Sequence, residues 1–259
     1  MKNLPLLQQH GQRRSLHNEV HSRPPEALPN DTAVFCEVMW ADAAERAASR
    51  QWLYQLLRDL QLPVPDGADH ANHLRLDLGD CRLRWELHTE FVSWTWMVPA
   101  NAAAMQAASP QSASDAIPAQ WLAGLPGQCL LAMNVWVLAP APLLEQSIEH
   151  GWLYEDKLVA SQTAEEQARI YTDFAIHPDG ASRLFVLNQG LPAARVGRLV
   201  QRLIEIETYR MAALLGLPAA RDTMDRLAAT ETELAQLSEA IRSAGAASEP
   251  QLLDQLTRL

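Results

Sequence analysis

Hydrophobic and polar positions divide the chain into a β-rich body followed by helices. The run TAVFCEVMW (32–40) is apolar, β-branched and aromatic, and predicts a buried strand. In ADAAERAASRQWLYQLLRDLQL (41–62), Ala48, Trp52, Leu56 and Leu60 fall along one helical face, and Pro63 and Pro65 end the helix. HLRLDLGDCRLRWELHTEF predicts a hairpin. Leu74, Leu76 and Leu78 alternate with Arg75 and Asp77, Gly79–Asp80 turns the chain, and Leu83, Trp85 and Leu87 alternate with Arg84, Glu86 and His88. The alternation then changes phase, with Val92, Trp94 and Trp96 at even positions, which predicts a bulge or a second strand near Phe91.

The Ala-, Ser-, Gln- and Pro-rich segment 99–118 reads as a loop or a weak helix, and QCLLAMNVWVLA (128–139) as the next buried strand. PLLEQSIEHG suits a short helix closed at Gly151. RIYTDFAIH (169–177) and SRLFVLNQ (182–189) read as strands, and the intervening Pro-Asp-Gly makes them an antiparallel pair.

From Leu191 the period becomes helical. Pro192 sits in a first turn, and Val196, Leu199, Val200, Leu203, Ile206 and Leu214 form one broad apolar side. After Pro218, Leu227, Leu234 and Ile241 recur every seventh residue with Leu237 at the paired d position, the pattern of a coiled coil or helical hairpin. GAASEP (245–250) breaks it and QLLDQLTRL begins a further helix, whose apolar side has no match in the sequence. That last helix is expected to pack against something outside this sequence, the helical part being truncated. The expected architecture is an N-terminal arm (1–31), an α+β domain (32–190) and a coiled-coil-like helical extension (191–259). The domain has a mixed or antiparallel sheet with helices on one face.

With 259 residues, 48% of them hydrophobic, the chain can bury a sizeable core. A net charge of -10 leaves no excess of cations to neutralise phosphates, which argues against a nucleic-acid partner. Cys36, Cys81 and Cys129 are isolated, so they supply neither a metal knuckle nor a disulfide framework, and a reducing compartment fits. The N-terminus lacks the pattern of a secretory signal. The most apolar stretch, 129–144, is interrupted by Asn134, Pro140 and Pro142 and falls short of the roughly 20 residues needed to cross a bilayer. A cytoplasmic location is expected.

Phosphate-binding loops, the GxSxG elbow, HExxH and GxGxxG are all absent from the sequence, and no organic cofactor is evident. What remains is a set of polar ladders with period-two spacing: His17, Glu19 and His21; Glu86, His88 and Glu90; and a weaker third, Tyr171, Asp173 and His177. Strands about 4.8 Å apart could bring the first two ladders together as ligands for a divalent metal or as an acid/base site. The same residues could instead form a solvated charge network with Arg23, Arg82, Arg84 or Arg183. Trp85, Trp94, Trp96, Trp121, Trp136 and Trp152 fit either a buried core or a ligand pocket. Glu205, Glu207, Tyr209 and Arg210 fit either helix support or a binding group.

LHNEVHSRPPE (16–26), LRWELHTEFVSWTW (83–96), TDFAIHPDGASRLFVLNQGL (172–191) and GRLVQRLIEIETYRMAALLGLPAAR (197–221) together resemble the uncharacterised bacterial family known as domain of unknown function 3422, described as predicted membrane-anchored proteins. The resemblance implies long helices and a C-terminal hydrophobic anchor at the inner membrane, a part missing from this sequence. It carries no catalytic residue, substrate or cofactor. The functional expectation is a soluble regulatory or scaffolding portion that self-associates through its C-terminal helices. The alternative is a metal sensor or metal-dependent enzyme using the ladders.

Overall fold

The computed structural model describes residues 10–11, 13, 24–100, 110–163 and 166–243. Its centre is an eight-stranded mixed sheet built from β1 (Thr32–Trp40), β2 (His73–Asp77), β3 (Arg82–Leu87), β4 (Phe91–Pro99), β5 (Gln128–Leu138), β6 (Val159–Thr163), β7 (Ala168–Thr172) and β8 (Ser182–Asn188), in the order β2-β3-β4-β1-β5-β8-β7-β6. All neighbours are antiparallel except β5 and β8. This is the α+β class that the hydrophobic pattern predicts.

The expected hairpins are present. Gly79 takes φ +90, a left-handed value that costs a residue without Cβ little, and its N–H donates to Asp77 Oδ1 at 3.0 Å. The phase change near Phe91 is a second reversal: Leu87 pairs with Val92, and His88 N–H donates to the Phe91 carbonyl at 2.9 Å. Helix α1 (Ala43–Asp59) starts at a capping box, Asp42 and Glu45 each accepting from the other's backbone N–H at 2.8 Å.

Alternation gives the sheet two unlike faces. One carries Phe35, Leu83, Trp85, Trp94, Trp96, Trp136 and Phe185, and packs with Leu53, Leu56 and Leu57 of α1 into the main core. Trp52 of α1 meets Trp94 edge-on at 5.3 Å, and Trp136 stacks on Phe185 at 4.6 Å. The connections include 3-10 turns (Ala113–Ala116 and Glu155–Lys157), the short helices α2 (Ala119–Ala123) and α3 (Pro142–Ser147), and a π-helical turn (Ile148–Trp152), with Ile117, Leu125, Ile148 and Trp152 in the same core.

The opposite face carries Arg84, Glu86, Ser93, Thr95, Cys36 and Leu184, and meets helix α4 (Ala193–Leu214). α4 buries Val196, Val200 and Ile204, an i, i+4 stripe, and then Glu207 and Thr208. Ile206, expected on the apolar side, is 54% exposed because the helical period places it two residues off that stripe. Helical cover therefore lies on both faces of the sheet.

Residues 24–28 form a strap at the start of α4. Leu28 N–H donates to the Ala193 carbonyl at 3.0 Å, and Glu26 pairs with Arg82 at 3.0 Å. Gly197 lets this crossing happen, since a Cβ there would fall on the Glu26 carbonyl oxygen. The chain separates into two compact units between Thr208 and Tyr209, inside α4. In the second unit, α4 ends and the chain continues through Leu215 and Gly216 into α5 (Leu217–Ser243), giving the two joined helices expected of the C-terminal region.

Gly197→Ala is expected to lower stability by about 2 kcal/mol in urea denaturation, because the strap must shift to admit a methyl group. Gly151→Ala, where the added carbon meets nothing within 4 Å, is the matched control and is expected to be neutral within about 0.5 kcal/mol.

Candidate functional site

Alternation along β3 turns Arg84 and Glu86 away from the tryptophan core and toward α4. Arg84 Nη2 donates to Glu86 Oε1 at 2.6 Å, and the two side chains are 8% and 9% exposed. Arg84 Nη1 donates to Gln201 Oε1 of α4 at 3.1 Å, and the Gln201 amide donates to Glu205 at 2.7 Å. Beside this pair lie buried Ser93 and Thr95 of β4, whose hydroxyls contact the Cys36 sulfur at 3.7 and 3.6 Å. Burial pushes the Cys36 thiol up to about 11, so it stays protonated and non-nucleophilic near neutral pH. The thiols of Cys81 and Cys129 are also raised by burial.

The second ladder is not a continuous strand face. Glu86 belongs to β3, whereas His88 and Glu90 lie in the reversal before β4. His88 stacks on Phe91 at 4.1 Å, and exposed Glu90 accepts from Thr89 Oγ1 at 2.5 Å. Period-two spacing implies a shared face only while the chain stays extended, and here it turns after Leu87. His17, Glu19, His21 and Arg23 lie outside the described residues. Among the described residues, no group of three or more His, Cys, Asp or Glu side chains is placed to hold a metal ion.

The third ladder is likewise a strand end plus a loop. β7 stops at Thr172, and Asp173 organises the loop after it by accepting from Tyr154 N–H at 2.9 Å and Ala175 N–H at 3.1 Å. Its Oδ2 also meets His177 Nε2 at 2.9 Å, and both side chains are buried. The Tyr154 ring stacks flat on the His177 ring at 4.7 Å, and Phe174 takes φ +52 between Asp173 and Ala175. Arg183 donates to the Trp152 carbonyl at 3.0 Å and to Asp179 at 3.2 Å, fastening the far side of this loop. Asp173 thus orients one imidazole nitrogen and anchors two backbone amides.

Trp85 is fully buried with the Arg50 guanidinium 4.9 Å from its ring centre, so it is a core residue with a cation–π contact. Glu207 is buried on α4, while Arg210 is exposed beyond the unit boundary.

Glu37 is the residue that the hydrophobic pattern passes over. In β1 it stands opposite Trp94 on one side and Ala132 on the other, on the tryptophan-bearing face. Its Oε2 is buried and meets no hydrogen-bond donor among the described residues, and burial pushes its carboxyl up to about 7. A carboxyl that titrates near neutrality in an apolar setting can hold or release a proton under ordinary conditions. The signal in the sequence is one acid within the otherwise apolar run TAVFCEVMW.

Two measurements check these electrostatics. A carboxyl raised above its unfolded value of 4.5 means that the folded state binds more protons, so its contribution is full below pH 4.5 and is lost as pH rises to and through about 7. Glu37→Gln is expected to remove about 2 kcal/mol of pH-dependent stability loss between pH 5 and 8, read from urea midpoints across that range. Arg84→Met is expected to destabilise by about 3 kcal/mol by removing the cation from buried Glu86, and adding Glu86→Leu is expected to recover most of that loss.

The model of the family described as "Protein of unknown function (DUF3422)" matches residues 8–259, nearly the whole sequence. No curated protein and no solved structure matches the chain. The matched span contains the Arg84–Glu86 pair, the Asp173–His177 loop and both C-terminal helices, and the chain belongs to the DUF3422 family of proteins of unknown function.

Proposed function

We propose that this chain is the non-enzymatic, regulatory or scaffolding portion of a membrane-anchored protein that associates with copies of itself through its C-terminal helices. The observation that carries the reading is the side of α5 bearing Leu227, Leu234 and Ile241. These residues repeat every seventh position and are 56%, 45% and 49% exposed. Aliphatic side chains held in such a row lose their contact with water when a second helix covers them, which favours association. Among the described residues no helix is long and apolar enough to cross a membrane, so attachment to a bilayer would belong to the anchor that the family resemblance implies.

The metal or acid/base alternative has less support. Glu86 is already engaged by Arg84, and Glu90 lies in an exposed reversal. A cytoplasmic placement remains the expected one, with the three cysteines as free thiols in keeping with a reducing compartment.

Sedimentation equilibrium of the intact chain is expected to show a dimer or larger species at micromolar concentration. Leu227→Glu combined with Leu234→Glu is expected to give a monomer with unchanged circular dichroism. A single monomeric species for the unmodified chain over the whole concentration range would refute the proposal.

A further inference from the structure

The self-association proposed above sets no direction or register for the paired helices; the side chains of α5 do. We infer that α5 pairs with α5 of a second copy of this chain in parallel and in register. The inference rests on the self-association reading and specifies its geometry.

With Leu227, Leu234 and Ile241 at the a positions, the d positions are Thr223, Thr230 and Leu237. Leu237 is 7% exposed, so the freely open part of the seam runs through Leu227, Thr230 and Leu234, and reaching Ile241 displaces the groups that cover Leu237 within the chain. A threonine in a seam is costly when its hydroxyl has no partner. Here Thr223 Oγ1 donates to the Ala219 carbonyl at 2.8 Å and Thr230 Oγ1 to the Arg226 carbonyl at 3.0 Å. Each hydroxyl is satisfied within its own helix, leaving the methyl group for packing.

Direction is decided by what faces what. A parallel, in-register pair stacks Leu227 on Leu227, Leu234 on Leu234 and Ile241 on Ile241, so like-sized aliphatic groups fill each a layer. It also sets Arg226, at g, beside Glu231 at the following e position of the other helix, and both residues are exposed. Opposite charges at g and e of a parallel pair attract and select that register. Reversing the second helix places a positions against d positions, so that, centred on the stripe, Leu234 faces Thr230 and Ile241 faces Thr223 in place of an equal aliphatic group. Centred on the stripe, the reversed pair also sets Glu231 against Glu231 and Glu233 against Glu233, and like charges at these distances repel.

The test uses the full chain carrying Cys81→Ser and Cys129→Ser, with Cys36 retained because it is fully buried. Thr230→Cys is expected to form a disulfide-linked dimer under mild oxidation, since facing d positions of a parallel pair meet disulfide geometry, whereas Ala228→Cys on the outer side of the helix is expected to stay reduced. Glu231→Arg is expected to raise the dimer dissociation constant about tenfold, and Arg226→Glu with Glu231→Arg to restore it to within about twofold. A dimer in sedimentation that neither cross-links in the Thr230→Cys variant nor recovers with the charge swap overturns the parallel register while leaving self-association standing. A monomer in sedimentation overturns both.

Discussion

The sheet is held as one object by β1. It pairs along its length with β4 on one side and with β5 on the other, so within the sheet of the described residues the β2–β3–β4 meander and the β5–β8–β7–β6 group are hydrogen-bonded to each other through its two ladders. The side chains of β1 also serve both layers. Phe35 and Met39 belong to the core beneath α1, and Cys36 lies among the polar groups that face α4. This position explains why a single acid in β1 matters: Glu37 sits where the sheet has no free edge and where water is scarce, and its proton affinity rises accordingly.

The two faces use their polar groups differently. Beneath α1, packing is largely aromatic, with Trp85, Trp94, Trp136 and Phe185 buried among aliphatic residues and Trp52 packed against them. Beneath α4, a charge pair, two hydroxyls and a thiol are interleaved with aliphatic residues. A buried Arg–Glu pair contributes little net stability compared with apolar residues of the same size, but it penalises any arrangement that separates the two charges. The pair therefore favours one seating of α4, reinforced by the Arg84–Gln201 hydrogen bond.

Local patterns were legible in the sequence, and long-range ones were not. The β2–β3 hairpin was readable because Leu74, Leu76, Leu83 and Trp85 alternate around Gly79–Asp80, and the reversal at Phe91 because the alternation slipped by one residue. The parallel pairing of β5 with β8 left no such trace, since nothing in either strand names a partner some fifty residues away. β6 was invisible because VASQT is short, polar and exposed, and so lacks the apolar face that marks a strand. Spacing alone did not describe the second ladder: Glu86, His88 and Glu90 share a period but not a backbone conformation. Asp173 and His177 came together through a loop that accepts backbone amides, and strand periodicity cannot describe that. Glu37 was lost for the opposite reason, being one acid in a run whose apolar neighbours dominated its reading.

The strap at residues 24–28 has a temporal side. Part of its seat, Arg75 and Arg82, lies on the β2–β3 hairpin, and the rest, Ala193 and Gly197, is synthesised long after it. While the ribosome is still producing the sheet, this segment has only the hairpin half of its seat, and the polar face that meets α4 lacks its helix. The body can close only when the start of α4 emerges, so the strap is locked in place late in synthesis.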